Sequence, residues 1–117
     1  MYSREPVFET DGAFARYHVS GSAPFVLGHY PSDPIFPGVM SLHGMETLCA
    51  MLCRRLCTAS VREVVLKRIS YLGIIRPGDV LDIRCRVKKR TTDELHLQAD
   101  IAVEGTVKTK STFIYRF

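Results

Sequence analysis

The period of the hydrophobic positions changes once along the chain. From about Val39 to about Cys57, Leu42, Met45, Cys49, Leu52/Cys53 and Leu56 recur at three- and four-residue steps, the spacing of one broad helix face. Leu48, Ala50 and Met51 widen that face, so the predicted helix meets little water before Arg54-Arg55 and must be enclosed by other elements. After the helix the period falls to two. Val80 to Lys88 puts Leu81, Ile83, Cys85 and Val87 on one face and Asp82, Arg84, Arg86 and Lys88 on the other, and Leu95, Leu97, Ala99, Ile101 and Val103 alternate again. Such alternation predicts strands with one buried face. Arg62 to Ser70, rich in β-branched residues, reads as a central strand. Tyr71 to Ile75 is short and extended, Pro77-Gly78-Asp79 and Arg90 to Asp93 are turns, Glu104-Gly105 marks a hairpin, and Val107 to Phe117 forms the last strand. Ahead of the helix, residues 1–12 read as an irregular lead-in and Ala13 to Ser20 as a first strand. One helix followed by an antiparallel run is an α+β pattern, with the sheet wrapped round the helix.

Composition narrows this only a little. The 117 residues make one domain, 1–117, with 46% hydrophobic and 24% charged residues, as in an ordinary globular chain. No apolar run approaches the ~20 residues of a membrane span, and Met-Tyr-Ser-Arg-Glu-Pro has no signal-peptide core. A cytoplasmic protein without membrane partners is expected. The formal charge of +4 is spread over Arg54-Arg55, Lys67-Arg68, Lys88-Lys89-Arg90 and Lys108/Lys110. Scatter of that kind reads as solvated surface, with docking of an acidic partner as the functional alternative. Nucleic acid is not expected, because no basic stripe is interleaved with stacking aromatics. Cys49, Cys53 and Cys57 lie four apart along one helix face, which is neither a zinc knuckle nor a disulfide framework, and they read as small buried apolar residues.

Candidate chemistry concentrates in residues 28–47. Pro31, Pro34 and Pro37 keep the first half of this stretch out of the helical region, and Pro37-Gly38 then opens the apolar helix. His29 therefore sits on a stiffened loop leading into that helix. Gly38 offers a bare backbone N–H at the helix's positive end, suited to a developing oxyanion.

His29-Tyr30-Pro31, Pro34 and Pro37-Gly38-Val39 resemble, position for position, the signature of the β-hydroxyacyl-acyl carrier protein dehydratases (the FabZ/FabA-like group) of the hotdog fold. The Pro77-Gly78-Asp79 turn agrees with that family, and the resemblance covers roughly residues 13–117. It implies a dimer of hotdog domains, each a long central helix wrapped by an antiparallel sheet, with the active sites shared across the dimer. It implies that His29 takes the α-proton of a 3-hydroxyacyl thioester and that Gly38, flanked by Val39, holds the thioester carbonyl. The substrate rides on an acyl carrier protein, and no cofactor or metal is used. The family's catalytic carboxylate falls on His43 here and its glutamine on Thr47. Typical members also carry a longer segment before the first strand.

A protonated imidazole is a competent general acid, with an ordinary pKa of ~6.5. Burial and the helix's positive end both disfavour imidazolium at His43, whereas a carboxylate at Glu46, three residues on, would favour and orient it. Glu46 and Thr47 are thus expected to support the acid. A metal set of His29, His43 and Glu46 is chemically conceivable, but the resemblance implies none. Hotdog thioesterases lack the histidine-proline loop. The leading expectation is a dehydratase forming a trans-2-enoyl thioester in a fatty-acid-like, polyketide or polyene pathway. The alternatives are a non-catalytic or half-site subunit of a heterodimeric dehydratase and an acyl-thioester-binding module.

Overall fold

The computed structural model describes residues 5–19 and 38–117, with Val39 described by its backbone alone. His29 and the proline-rich loop lie outside the described residues. The elements are β1 (Val7–Phe8), β2 (Gly12–His18), α1 (Gly38–Leu56), β3 (Glu63–Tyr71), β4 (Val80–Arg90), β5 (Glu94–Val103) and β6 (Thr106–Arg116). The strands form one six-stranded sheet in the order β1-β2-β4-β5-β6-β3, every pair antiparallel.

The two-residue alternation decides which face meets the helix. Leu81, Ile83 and Cys85 of β4, Leu95, Leu97, Ala99 and Ile101 of β5 and Phe113 of β6 are all buried. They pack with Met45, Leu48, Cys49, Leu52 and Cys53 of α1 into one core, and each large side chain removed from water there contributes about 1.5–3 kcal/mol. Two local devices hold the sheet's shape. Glu104 and Gly105 both have positive φ, 50° and 82°, the two-residue turn whose twist matches paired strands. The Pro77-Gly78-Asp79 turn is tied to the end of β2 by Gly78 N–H donating to Val19 O (2.8 Å) and Val19 N–H to Asp79 O (3.0 Å). At the far end of α1, Arg90 Nη2 donates to the orphan carbonyl of Leu56 at 2.6 Å.

Two expectations need correction. The lead-in is not wholly irregular: Val7–Phe8 pairs with Ala13–Phe14 as β1, and β2 already begins at Gly12. Nor is the β-branched strand central. Among the described residues β3 pairs only with β6 and forms an edge of the sheet. It leaves Val64, Ile69 and Tyr71 exposed at 43%, 41% and 55%. β-Branched side chains favour an extended backbone wherever it lies, and carry no count of its neighbours. A bulge interrupts β3 between Lys67 and Ser70, with Arg68 in the left-handed region at φ 56°. The buried hydroxyl of Ser111 donates to the Lys67 carbonyl at this point (3.3 Å).

Candidate active site

Helix α1 starts at Gly38 and has no acidic residue in its first turn, so no carboxylate of its own offsets the positive potential of its free amides. Gly38 is the only residue type that fits there without displacement. A Cβ would lie 2.9 Å from Cε1 and 3.2 Å from Cζ of Tyr71, whose ring lies across the helix start. The last residue of β3 thus packs against the start of α1. Sequence pattern did not single out Tyr71. Counting by twos from the inward Leu66, which pairs with Phe113, puts Ser70 on the helix side and Tyr71 outside. The bulge reverses this: Ser70 pairs with the exposed Lys110, and Tyr71 with the buried Thr109.

His43 lies on the next turn of α1 after this start, and it corrects the expectation of a buried imidazole: His43 and Glu46 are both exposed on the protomer. Residues on the other side of the same turns, Ser41, Gly44 and Met45, are buried. No hydrogen bond or ion pair joins His43 to Glu46 among the described residues, so the expected orienting contact is not made within one chain. Thr47 has a defined partner. Its Oγ1 donates to the His43 carbonyl at 2.8 Å, closing the helix on itself beside the histidine. The side chain of Val39 and the whole of His29 lie outside what the structure describes.

The helix's other polarisable groups sit in the core. Cys49, Cys53 and Cys85 are buried free thiols and Cys57 is half-buried. Burial pushes Cys53 up to about 11, with Cys57 beside it adding to the effect. Burial, with Cys85 next to it, also holds Cys49 well above the ordinary thiol range. Thiols kept neutral in this way act as apolar filling. Tyr115 closes the same region with its hydroxyl buried and without a partner among the described residues, and burial raises its phenol above the usual value. Among the described residues no cluster of three or more His, Cys, Asp or Glu side chains could hold a metal ion. None of their helices is long and apolar enough to cross a membrane.

A single long helix held in the curve of an antiparallel sheet is the hotdog fold. The same fold is seen in the dehydratase heterocomplex ApeI:P from Xenorhabdus doucetiae, with a TM-score of 0.68 at 13% identity over 97% of this chain and 100% of that one. A hypothetical thioesterase solved with coenzyme A from Streptococcus pneumoniae superposes with a TM-score of 0.77 at 17% identity, covering 96% of this chain and 86% of the other. In sequence, the 3-hydroxyacyl-[acyl-carrier-protein] dehydratase FabZ of Pseudothermotoga lettingae is 30% identical over 105 residues, 89% of this chain and 75% of that protein. The FabZ of Rickettsia conorii is 29% identical over 100 residues, 82% and 69% of the two chains. The ApeI-like family, described as ApeI dehydratase, matches residues 6–111. The chain belongs to this ApeI-like dehydratase family, and its enzyme class is that of a hydro-lyase.

Proposed function

We propose that the chain removes water from a 3-hydroxyacyl thioester, carried on the pantetheine arm of an acyl carrier protein, to give the trans-2-enoyl thioester. His29 takes the α-proton, and His43 of a second protomer returns a proton to the departing hydroxyl, so that water leaves and no other reactant is needed. The Gly38 N–H, with Val39 beside it, holds the thioester carbonyl as charge develops on it, and Thr47 positions His43 through its carbonyl. The reaction belongs to a cytoplasmic fatty-acid-like, polyketide or polyene pathway.

The observation that carries this reading is the exposure of His43 and Glu46 beside the Gly38 end of a helix whose opposite side is sealed. One sheet leaves that flank open, and a second protomer paired along the open β3 edge would close it. In such a dimer each site mixes residues of both chains, and burial then acts on His43 as expected from the sequence.

A second reading keeps the fold and changes the partner. Position 43 carries histidine where the FabZ-like signature has a carboxylate, and the ApeI:P dehydratase of similar fold is a heterocomplex. The chain would then contribute His29 to a site whose acid comes from a related hotdog subunit. Product formation from a carrier-bound 3-hydroxyacyl substrate, with and without such a subunit, tests both readings. His29→Ala lowers the rate by about 10²–10⁴ in either case. His43→Ala does so only in the homodimer. Turnover that survives loss of His29 rejects both.

A further inference from the structure

The outer face of the sheet, away from α1, carries a feature that the dehydratase chemistry does not use. Most of its arginines are matched with carboxylates. Arg16 bonds Asp82 at 3.0 Å, Arg84 bonds Asp100 at 2.7 Å, and Arg116 bonds Glu94 at 2.8 Å and Glu63 at 3.3 Å. Three cations break the pattern. Arg68, Lys88 and Lys110 come from three basic clusters scattered through the sequence, yet they line one concavity of about 300 Å³. Ser70, Gln98, Ser111 and Thr112 complete its lining, and no carboxylate takes part. None of the three cations has an ion-pair partner among the described residues. The nearest acid in the ladder is Asp100, opposite Lys110, and its carboxylate is already held by Arg84.

The backbone contributes as well. Simple alternation would send Arg68 towards the core. The β3 bulge, with Arg68 at φ 56°, places it in the outer concavity instead. A non-glycine residue in the left-handed region costs of order 1 kcal/mol or more, and such outliers gather where a side chain is re-aimed. Gln98 accepts from Arg86 Nη2 at 3.4 Å through its carbonyl oxygen, which leaves its NH₂ free to donate. The result is three positive charges with hydroxyl and amide donors around one small concavity.

We propose that this concavity is a phosphate-binding site, for a phosphate ester or free phosphate. A tetrahedral oxyanion presents several acceptor oxygens and accepts charge-assisted hydrogen bonds from guanidinium and ammonium groups. The site lies on the opposite face from α1 and does not rest on the dehydratase reading.

The test is an amide NMR titration of the full chain at constant ionic strength, with inorganic phosphate, 4′-phosphopantetheine and pantetheine as probes and chloride as the balancing anion. Saturable shifts at residues 67–70, 98 and 110–112 are expected with both phosphate-bearing probes and not with pantetheine. Tighter binding of phosphopantetheine than of inorganic phosphate assigns the site to a phosphopantetheine-type ester, and equal binding assigns it to a free phosphate. Lys110→Gln weakens binding by about tenfold or more. Lys89→Gln, a neighbouring exposed lysine outside the lining, leaves it unchanged. Arg68→Gly is the informative variant: glycine suits a positive φ, so the fold holds while binding falls by about tenfold or more. Absence of saturation with either phosphate probe overturns the proposal. So does equal binding of pantetheine, or wild-type affinity in the Arg68→Gly and Lys110→Gln variants.

Discussion

The two halves of α1 are made from similar residues and do different work. From Leu48 to Leu56 the helix is anchored: Leu48, Cys49, Leu52 and Cys53 are almost wholly buried. Its last carbonyl is held by Arg90, and Arg55 lies 4.2 Å over the ring of Phe8 in β1. From Gly38 to Thr47 the inner side is equally tight, with Ser41 and Met45 at 2% and 0% exposure, but the outer side offers His43 and Glu46 to solvent. The same periodicity thus supports a core at one end and an unfinished surface at the other. The difference teaches where one protomer stops. The anchored half is complete in a single chain. The open half, next to the β3 edge, is the flank that the proposed second subunit would cover.

The comparison can be broken most directly by moving the damage from one half to the other. In a homodimer His43→Ala should lower dehydration by about 10²–10⁴, while the fold of the protomer itself, on which the side chain is exposed, changes in stability by no more than about 0.5 kcal/mol. Single-turnover rates and thermal melts measure the two effects separately. Leu52→Ala should do the reverse, costing about 2–5 kcal/mol of stability through the cavity it leaves. A folded Leu52→Ala protein melting like the parent would mean that the anchored half is not the core it looks like.

A pH series sharpens the contrast. The unfolded chain ionises its Cys53 thiol near 9.0, whereas the folded chain holds that thiol up to about 11. A raised folded value means that the stabilising difference is intact below pH 9 and declines as pH rises from there towards 11. Cys49 acts in the same direction. Denaturation midpoints should therefore fall over this window, and less steeply in Cys53→Ala. A midpoint flat to pH 11 would contradict the burial of these thiols.

The smallest effect concerns Tyr115. Its hydroxyl has no hydrogen-bond partner among the described residues, so Tyr115→Phe should leave stability unchanged or raise it by up to about 1 kcal/mol. A clear loss in chemical denaturation would contradict an unpartnered hydroxyl.

Much of this molecule was legible in its sequence, for a physical reason. The periods of 3.6 and 2 are fixed by local backbone geometry, so the apolar positions placed α1, β4 and β5 within a residue or two, along with the hairpin at Glu104-Gly105. The proline spacing and Pro37-Gly38 pointed to a helix start at Gly38, and the motif pointed to the dehydratase family that matches residues 6–111. Three features were decided only by the tertiary structure. The position of β3 at the sheet edge depends on which strands find it, which no local preference encodes. The exposure of His43 depends on how far one sheet can wrap one helix. The bulge at Arg68 inverts every side chain after it, bringing Tyr71 to the Gly38 end of α1 and Arg68 to the outer face. A one-residue shift in register leaves the composition untouched and exchanges the two faces of a strand, so only the folded ladder reveals it.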